Sequence, residues 1–146
     1  MKFPSKAWFQ ALQERAAAKP DRFKKLGFVD ASVGVKVEAG NGGTPVGFVL
    51  EFSGYGCKTI SALPRPEEVA DFVLTGPYPA WKEMIENIRR NGEADLQHTL
   101  NVLTMPGVPL KLEAQDQLKA DLFFRYNQTF QEFFNGAAEV ETEFIA

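Results

Sequence analysis

The chain changes its hydrophobic period between two neighbouring stretches. In residues 69–75, Phe72 and Leu74 alternate with residues that face the other way, at the period of two that is typical of a β-strand. The prolines of Gly76-Pro77-Tyr78-Pro79 are expected to end this strand, because proline has no N–H to donate. Residues 80–90 are then predicted to form an amphipathic helix. Its apolar positions, spaced by three and four, are Trp81, Met84, Ile85 and Ile88.

The same alternation predicts further strands on both sides of this stretch. The five predicted strands cover residues 28–38, 46–53, 57–62, 69–75 and 108–113. Gly40-Asn41-Gly42-Gly43 is expected to turn the chain between the first two, since glycine and asparagine accept positive φ. Pro109 lacks a ladder donor, which predicts an edge position or a bulge for the last strand. Because the first four strands are joined by short connections, we expect a mainly antiparallel sheet.

Helical spacing predicts four helices, and most of them follow the strands along the chain. They cover residues 6–18, 80–90, 95–104 and 115–135, and Arg22–Leu26 adds one short turn. Asp95 is the expected N-cap of the third helix. The acidic segment 137–146 is expected to be loosely held. Strands gathered early and helices gathered late indicate an α+β fold, with a five-stranded, mostly antiparallel sheet and helices packed on one face.

Composition limits the classes of function. A chain of 146 residues with 45% hydrophobic and 24% charged residues is typical of one globular domain, here residues 1–146. The net charge of −3 argues against nucleic acid as a partner. No apolar run approaches the roughly 18 residues of a membrane span, so we expect no stable membrane insertion. The single Cys57 and the lack of a secretion signal predict a cytoplasmic location.

The stretch around the central strand resembles the sterol carrier protein type two family, the nonspecific lipid-transfer domains. The resemblance covers roughly residues 46–112 and rests on three pieces in the same order. These are Ala70-Asp71-Phe72-Val73-Leu74, the helix over 81–90, and Gly107-Val108-Pro109-Leu110-Lys111-Leu112. The resemblance implies a carrier without catalysis or cofactor that holds a lipid between its sheet and its helices.

The predicted last helix is unusually aromatic. Five of the thirteen phenylalanines lie within residues 123–134, and Leu118, Leu122, Tyr126, Phe130 and Phe134 are spaced by four. Such a face is either a filled core or the wall of a ligand tunnel. With the resemblance, we expect a tunnel with Trp81 near its mouth and the ligand's head group near solvent. The predicted ligand-binding residues are Phe72, Trp81, Met84, Ile85, Ile88, Leu100, Leu103, Met105, Leu122, Tyr126, Phe130 and Phe134.

Three functions compete at this point. The preferred one is a carrier of a fatty acyl chain, a sterol-like lipid or an isoprenoid. The second is an interaction or homodimerisation module that buries the aromatic C-terminal helix against a partner. The third is a small hydrolase or isomerase that uses Cys57 or an acidic residue. Cys57 and His98 are the only Cys and His, without a local nucleophile signature and with too few ligands for structural zinc, so we predict no catalytic residue and no metal.

Overall fold

The computed structural model describes residues 1–39, 43–105 and 107–144. The strands in chain order are β1 (Lys2–Phe3), β2 (Val29–Glu38), β3 (Val46–Gly54), β4 (Cys57–Ala62), β5 (Phe72–Pro77), β6 (Lys111–Ala114) and β7 (Glu143–Phe144). The helices are α1 (Lys6–Ala17), α2 (Pro20–Leu26), α3 (Tyr78–Asn91), α4 (Leu100–Leu103) and α5 (Gln117–Asn135). Short 3₁₀ turns occur at Pro66–Glu68, Leu96–His98 and Gly136–Glu139.

The alternating segments form one mixed sheet with the order β4-β3-β2-β5-β6. The pairs β2–β3, β3–β4 and β5–β6 are antiparallel, which confirms the five-stranded, mostly antiparallel α+β fold. β6 lies at an edge, as Pro109 predicted. One pair differs from the expectation, because β5 lies beside β2 and runs parallel to it. The predicted turn residues Gly40, Asn41 and Gly42 lie outside the described residues.

The parallel pair exists because the connection from β4 crosses the sheet instead of turning back. Pro66, in the middle of this connection, is buried against two glycines of the sheet. A Cβ added at Gly47 would lie 2.3 Å from the carbonyl oxygen of Leu63 and 2.6 Å from Pro66 Cδ. At Gly34 it would lie 3.2 Å from Pro66 Cβ. The two missing side chains therefore leave the room that the crossing needs.

β5 begins at Phe72 rather than at residue 69, because Asp71 bonds to Ser32 of β2 through side-chain oxygens ahead of the regular strand ladder. The Asp71 carboxylate accepts from Ser32 N at 2.9 Å, and Asp71 N donates to Ser32 Oγ at 2.9 Å. These bonds fix the start of β5 beside β2. From Phe72 onward the regular parallel ladder takes over, with Val33 opposite Phe72.

β5 ends within residues 76–79 as predicted, but no loop separates it from α3. The strand continues to Pro77, and the helix begins at Tyr78. Pro79 falls in the first turn of α3, where no N–H is needed for an intrahelical bond. The change of period thus occurs within one residue of the strand's end.

The predicted helix over 95–104 is divided into a 3₁₀ turn and the single turn of α4. Asp95 caps the first piece as expected, and its carboxylate accepts from Gln97 N and His98 N. Thr99 is extended, with φ −70° and ψ 152°, and starts α4. Gln131 Oε1 on α5 accepts from Leu100 N at 2.7 Å, so a distant side chain replaces the missing helical bond.

α5 confirms the long predicted helix, but its apolar face turns along its length. A spacing of four residues advances by about 40° per step on a helix with 3.6 residues per turn. Over the four steps from Leu118 to Phe134, this drift carries the start of the series away from the core. Leu118 is accordingly 81% exposed, whereas Phe134 is 1% exposed. Phe123 and Phe133 are buried as well and complete the inner face.

The expectation of a loosely held C-terminal segment is wrong for residues 137–144. Ala137 and Val140 are buried, and β7 pairs with β1. Trp8 Nε1 donates to Thr142 Oγ1 at 3.0 Å. Arg89 on α3 donates to the carbonyl oxygens of Ala137 and Val140. These bonds attach the segment to α1 and α3.

Candidate functional site

Aromatic rings join the helices to one face of the sheet. Phe130 on α5 lies 5.2 Å from Phe52 on β3 and 5.7 Å from Phe72 on β5, centroid to centroid. Trp81 on α3 stacks on Phe134 at 6.0 Å. We call the interior between α3, α5 and the sheet the aromatic layer. It is built from Phe52, Phe72, Trp81, Met84, Ile85, Ile88, Phe123, Phe130 and Phe134.

The structure brings most of the predicted ligand-binding residues together, but it buries them. Nine are at most 7% exposed, namely Phe72, Trp81, Met84, Ile85, Ile88, Leu100, Leu103, Phe130 and Phe134. Leu122 and Tyr126 are half-buried at the edge of the aromatic layer. Met105 is 54% exposed and lies outside the interior. Trp81, expected near a mouth, is fully buried instead.

The sequence did not single out the N-terminal residues that border this layer. Phe9 on α1 lies 4.7 Å from Phe48 and 6.2 Å from Phe134. Phe3 and Trp8 form a neighbouring cluster, with ring centroids 4.8 Å apart. Trp8 belongs to a helical stripe that the sequence shows only weakly. Nothing in the local pattern marks Phe3, since its burial depends on the pairing of β1 with β7.

Two polar atoms at the start of α3 are buried without a hydrogen-bond partner among the described residues. They are Trp81 Nε1 and Tyr78 Oη. Burial raises the pKa of the Tyr78 phenol above its ordinary value, so the phenol stays protonated at neutral pH. Leaving a buried donor unpaired costs about 1–3 kcal/mol. The aromatic layer therefore contains a buried N–H donor, that of Trp81, which no side chain of the layer accepts from.

A leucine packs against Gly76, close to the Trp81 indole. A Cβ added at Gly76 would lie 2.3 Å from Leu110 Cδ2 and 3.4 Å from Trp81 Nε1. Glycine at position 76 thus allows Leu110 to pack beside the indole. Apart from its apolar character, no sequence signal marks Leu110 as a site residue.

Open grooves occur at the surface, and two of them border α5 and α1, away from the predicted residues. The larger, of about 410 Å³, runs between α5 and the segment 96–101. It is lined by Leu26, Leu96, Thr99, Asn101, Asn127, Gln128, Gln131, Glu132 and Asn135. A second, of about 280 Å³, lies between α1 and residues 55–58. Neither of these two grooves is lined by any of the twelve predicted ligand-binding residues, whereas a groove of about 250 Å³ along α5 is lined by Tyr126.

Cys57 and His98 have separate partners. Cys57 Sγ lies 3.5 Å from the carbonyl oxygen of Thr59, and burial, aided by the charge of Glu51, raises the pKa of the thiol to about 12. The thiol is therefore protonated at neutral pH and is a poor nucleophile. His98 instead contacts Asp95, with Nδ1 2.7 Å from the Asp95 Oδ1 atom.

Within residues 1–39, 43–105 and 107–144, no three or more His, Cys, Asp or Glu residues are grouped so that they could hold a metal ion. Over the same ranges, none of the helices has both the length and the apolar character that a membrane span needs.

Two solved structures share this fold. One is a conserved hypothetical protein of Thermus thermophilus, named as possibly a sterol carrier protein. It has a TM-score of 0.70 and 24% sequence identity over 95% of this chain and 90% of its own. The other is sterol carrier protein 2, with a TM-score of 0.71 and 22% identity over 94% of this chain and 98% of its own. No family model and no curated protein matches the sequence. The likeness confirms the predicted sterol-carrier-like fold.

Proposed function

We propose that the protein binds and transfers a hydrophobic molecule in the aromatic layer between the sheet and α3 and α5. The observation that carries this proposal is the convergence of nine predicted residues in one apolar interior. The fold is shared with sterol carrier protein 2, whose name indicates a lipid cargo. Candidate cargoes are a fatty acyl chain, a sterol-like lipid or an isoprenoid. The proposed mechanism involves no bond making or breaking.

The driving force for binding is desolvation of the cargo. Each buried CH₂ group contributes about 0.8 kcal/mol, so a chain of about sixteen carbons gains on the order of 10 kcal/mol before ordering costs. Part of this gain is offset here by the cost of moving side chains that fill the interior. Met84 is suited to such movement, because its unbranched thioether adapts to irregular spaces. Its neighbours Trp81 and Phe134 are stiffer and are expected to keep the layer's shape.

The direct test is native mass spectrometry of protein purified without detergent, followed by organic extraction and identification of any co-purified lipid. The protein is then stripped of lipid and titrated with palmitate, hexadecanol, cholesterol and a short-chain ubiquinone. Trp81 fluorescence reports binding in a Trp8→Phe background, which removes the second indole. We expect saturable binding at micromolar concentration by at least one of them. If none binds to monomeric protein, the carrier function is wrong.

The interaction-module alternative receives less support from the geometry. Phe123, Phe130, Phe133 and Phe134 are buried against the chain's own sheet, so this face of α5 does not lie open to a partner. Homodimerisation stays a prediction. A mass that rises with protein concentration in solution, together with failure of every lipid to bind, would favour it.

A further inference from the structure

The two tryptophans are equally buried but differ in their hydrogen bonding. Both are 0% exposed, and Trp8 donates its indole N–H to Thr142 Oγ1 at 3.0 Å. Trp81 Nε1 has no acceptor among the described residues, and neither does Tyr78 Oη on the preceding turn of α3. Buried polar groups in native proteins are almost always paired. The unpaired Trp81 indole therefore indicates a place where a partner atom belongs.

Leu110, an apolar residue, lies near the Trp81 donor on the same side of Gly76. Leu110 Cδ2 and Trp81 Nε1 approach the same point next to Gly76, at 2.3 and 3.4 Å from a Cβ placed there. The carbonyl oxygen of Pro109 lies 3.5 Å from that point but does not accept from the indole. A leucine methyl cannot satisfy an N–H. Displacement of this side chain would give the donor access to an oxygen.

Leu110 is placed where displacement is comparatively easy. It ends the surface connection 107–110, immediately before β6, which pairs with β5 alone. Its backbone is held by a bond from Leu110 N to the carbonyl oxygen of Leu103 at 3.1 Å. Segments at a sheet edge open at lower cost than central strands. Movement of the Leu110 side chain is therefore expected to disturb β6 and its connection before β2 or β3.

The surroundings of the Trp81 indole favour an uncharged oxygen acceptor over a charged one. The buried polar residues of the described chain are Thr75, Asn87 and Thr129, none of which carries a positive charge. A carboxylate or phosphate in this interior would lack a countercharge and would incur a large desolvation cost. A hydroxyl or carbonyl oxygen needs only a donor, which an indole N–H supplies.

We infer that the Trp81 N–H binds the uncharged oxygen of a single-chain lipid head that takes the place of the Leu110 side chain. The ligand class is a long-chain alcohol or ester rather than an ionised fatty acid. This inference rests on the proposed carrier function and names its ligand. In contrast to the head group near solvent that the sequence predicted, the lipid head would thus lie inside, at the start of α3, and the tail in the aromatic layer.

The first test compares four probes of similar chain length on delipidated full-length protein at pH 8. They are hexadecanol, methyl palmitate, hexadecane and palmitate. Hexadecanol and methyl palmitate are expected to bind about fivefold more tightly than hexadecane, because one hydrogen bond contributes about that factor. They are also expected to bind more tightly than palmitate, whose charge lacks a partner in this interior. Trp81→Phe is expected to remove the difference between hexadecanol and hexadecane. Trp8→Phe, which changes an indole with an internal partner, is the matched control and should retain it.

The second test needs no change to the indoles. In protein labelled with ¹⁵N-tryptophan, hexadecanol should shift the Trp81 indole N–H resonance downfield and leave the Trp8 resonance in place, whereas hexadecane should not produce the downfield shift. Leu110→Ala should speed hexadecanol association, with Leu112→Ala on β6 as its control. Equal affinity for hexadecanol and hexadecane, with an unmoved Trp81 resonance, overturns the inference and leaves the carrier function standing. Failure of all four probes to bind, along with cholesterol and the quinone, overturns both.

Discussion

Neighbouring aromatic residues on α5 differ in exposure, and this difference separates their expected roles. Tyr126 is half-buried with its ring 6.4 Å from Phe130, whereas Phe124 is 53% exposed. Tyr126→Ala should weaken the binding of a single-chain lipid about tenfold, because it removes apolar contact at the edge of the aromatic layer. Phe124→Ala should change affinity less than about twofold. Lipid titration of both variants checks this, and equal effects would place the binding site elsewhere.

Cys57 links stability to alkaline pH. Burial raises the pKa of its thiol from 9.0 to about 12, so the folded protein keeps a proton that the unfolded chain releases. The stability that this proton provides is complete below about pH 9 and is lost as pH rises from 9 towards 12. Urea unfolding should therefore show that wild type loses more stability over this window than Cys57→Ser, which has no thiol to titrate.

The same variant separates a structural cysteine from a functional one. At pH 7, Cys57→Ser should cost at most a few kcal/mol, the cost of burying a hydroxyl, and should leave lipid binding unchanged. A folded Cys57→Ser protein that has lost its function would restore the enzyme hypothesis.

The stability that His98 contributes is lost as pH rises, because its contacts favour the protonated imidazole. Its hydrogen bond to Asp95, followed by that to Glu83, raises the pKa of the imidazole above 6.5. The stability from this contact is complete below about pH 6.5 and is lost as pH rises through the raised pKa. Wild type should lose stability relative to His98→Gln as pH rises above about 6.5 and through the raised pKa of the imidazole. Since His98 is the only histidine, an NMR titration reports its pKa directly.

At the scale of elements, the fold depends on the crossing of residues 63–71 over the sheet. Gly47→Ala should destabilise the protein by about 1–3 kcal/mol, because the new methyl group meets backbone and a proline ring that cannot move independently. Gly56→Ala is the matched control, since a Cβ there has nothing within 4 Å. It should change stability by less than about 0.5 kcal/mol. Similar losses in urea unfolding would show that the crossing is not tightly packed at Gly47.

The hydrophobic pattern within one element predicted the bounds of that element well. It did not predict how elements pair or where distant residues interrupt them. The alternation in β2 and the stripe in α3 record a single buried face, so both elements were predicted to within two residues. The parallel pairing of β5 depends instead on the packing of Pro66 against Gly34 and Gly47, two glycines that are distant in sequence from β5. The break at Thr99 depends on Gln131, which lies far along the chain on α5. No local period contains such information.

The candidate site shows the same division. Residues buried on one face, such as Trp81 and Phe130, were predicted from spacing, but spacing does not distinguish a filled core from a tunnel. Met105 was included for its chemistry, although it lies on an exposed connection. Leu110 was missed because its importance comes from the absence of a side chain at Gly76 and from the unpaired indole behind it.

At the scale of the molecule, a filled interior and a lipid site are two states of the same space. Enlarging that space should therefore make stability depend on lipid. Phe130→Ala should cost about 3–5 kcal/mol without ligand, because it leaves a cavity between Phe52 and Phe72. A single-chain lipid that fills the cavity should return a large part of this loss. At about a hundredfold excess over Kd, ligand binding alone contributes about 2.7 kcal/mol.

The control for this prediction is Phe23→Ala, which removes an equally large buried side chain from α2, outside the aromatic layer. Its loss should be similar, but lipid should stabilise it no more than it stabilises wild type. Thermal unfolding with and without hexadecanol measures both variants, and Phe130→Leu provides a smaller cavity if the alanine variant does not fold. A lipid effect of the same size in the Phe23 and Phe130 variants would mean that the ligand does not enter the space between α5 and the sheet. A selective effect at Phe130 would identify that space as the binding site, because only a ligand inside it can replace the contacts of the missing ring.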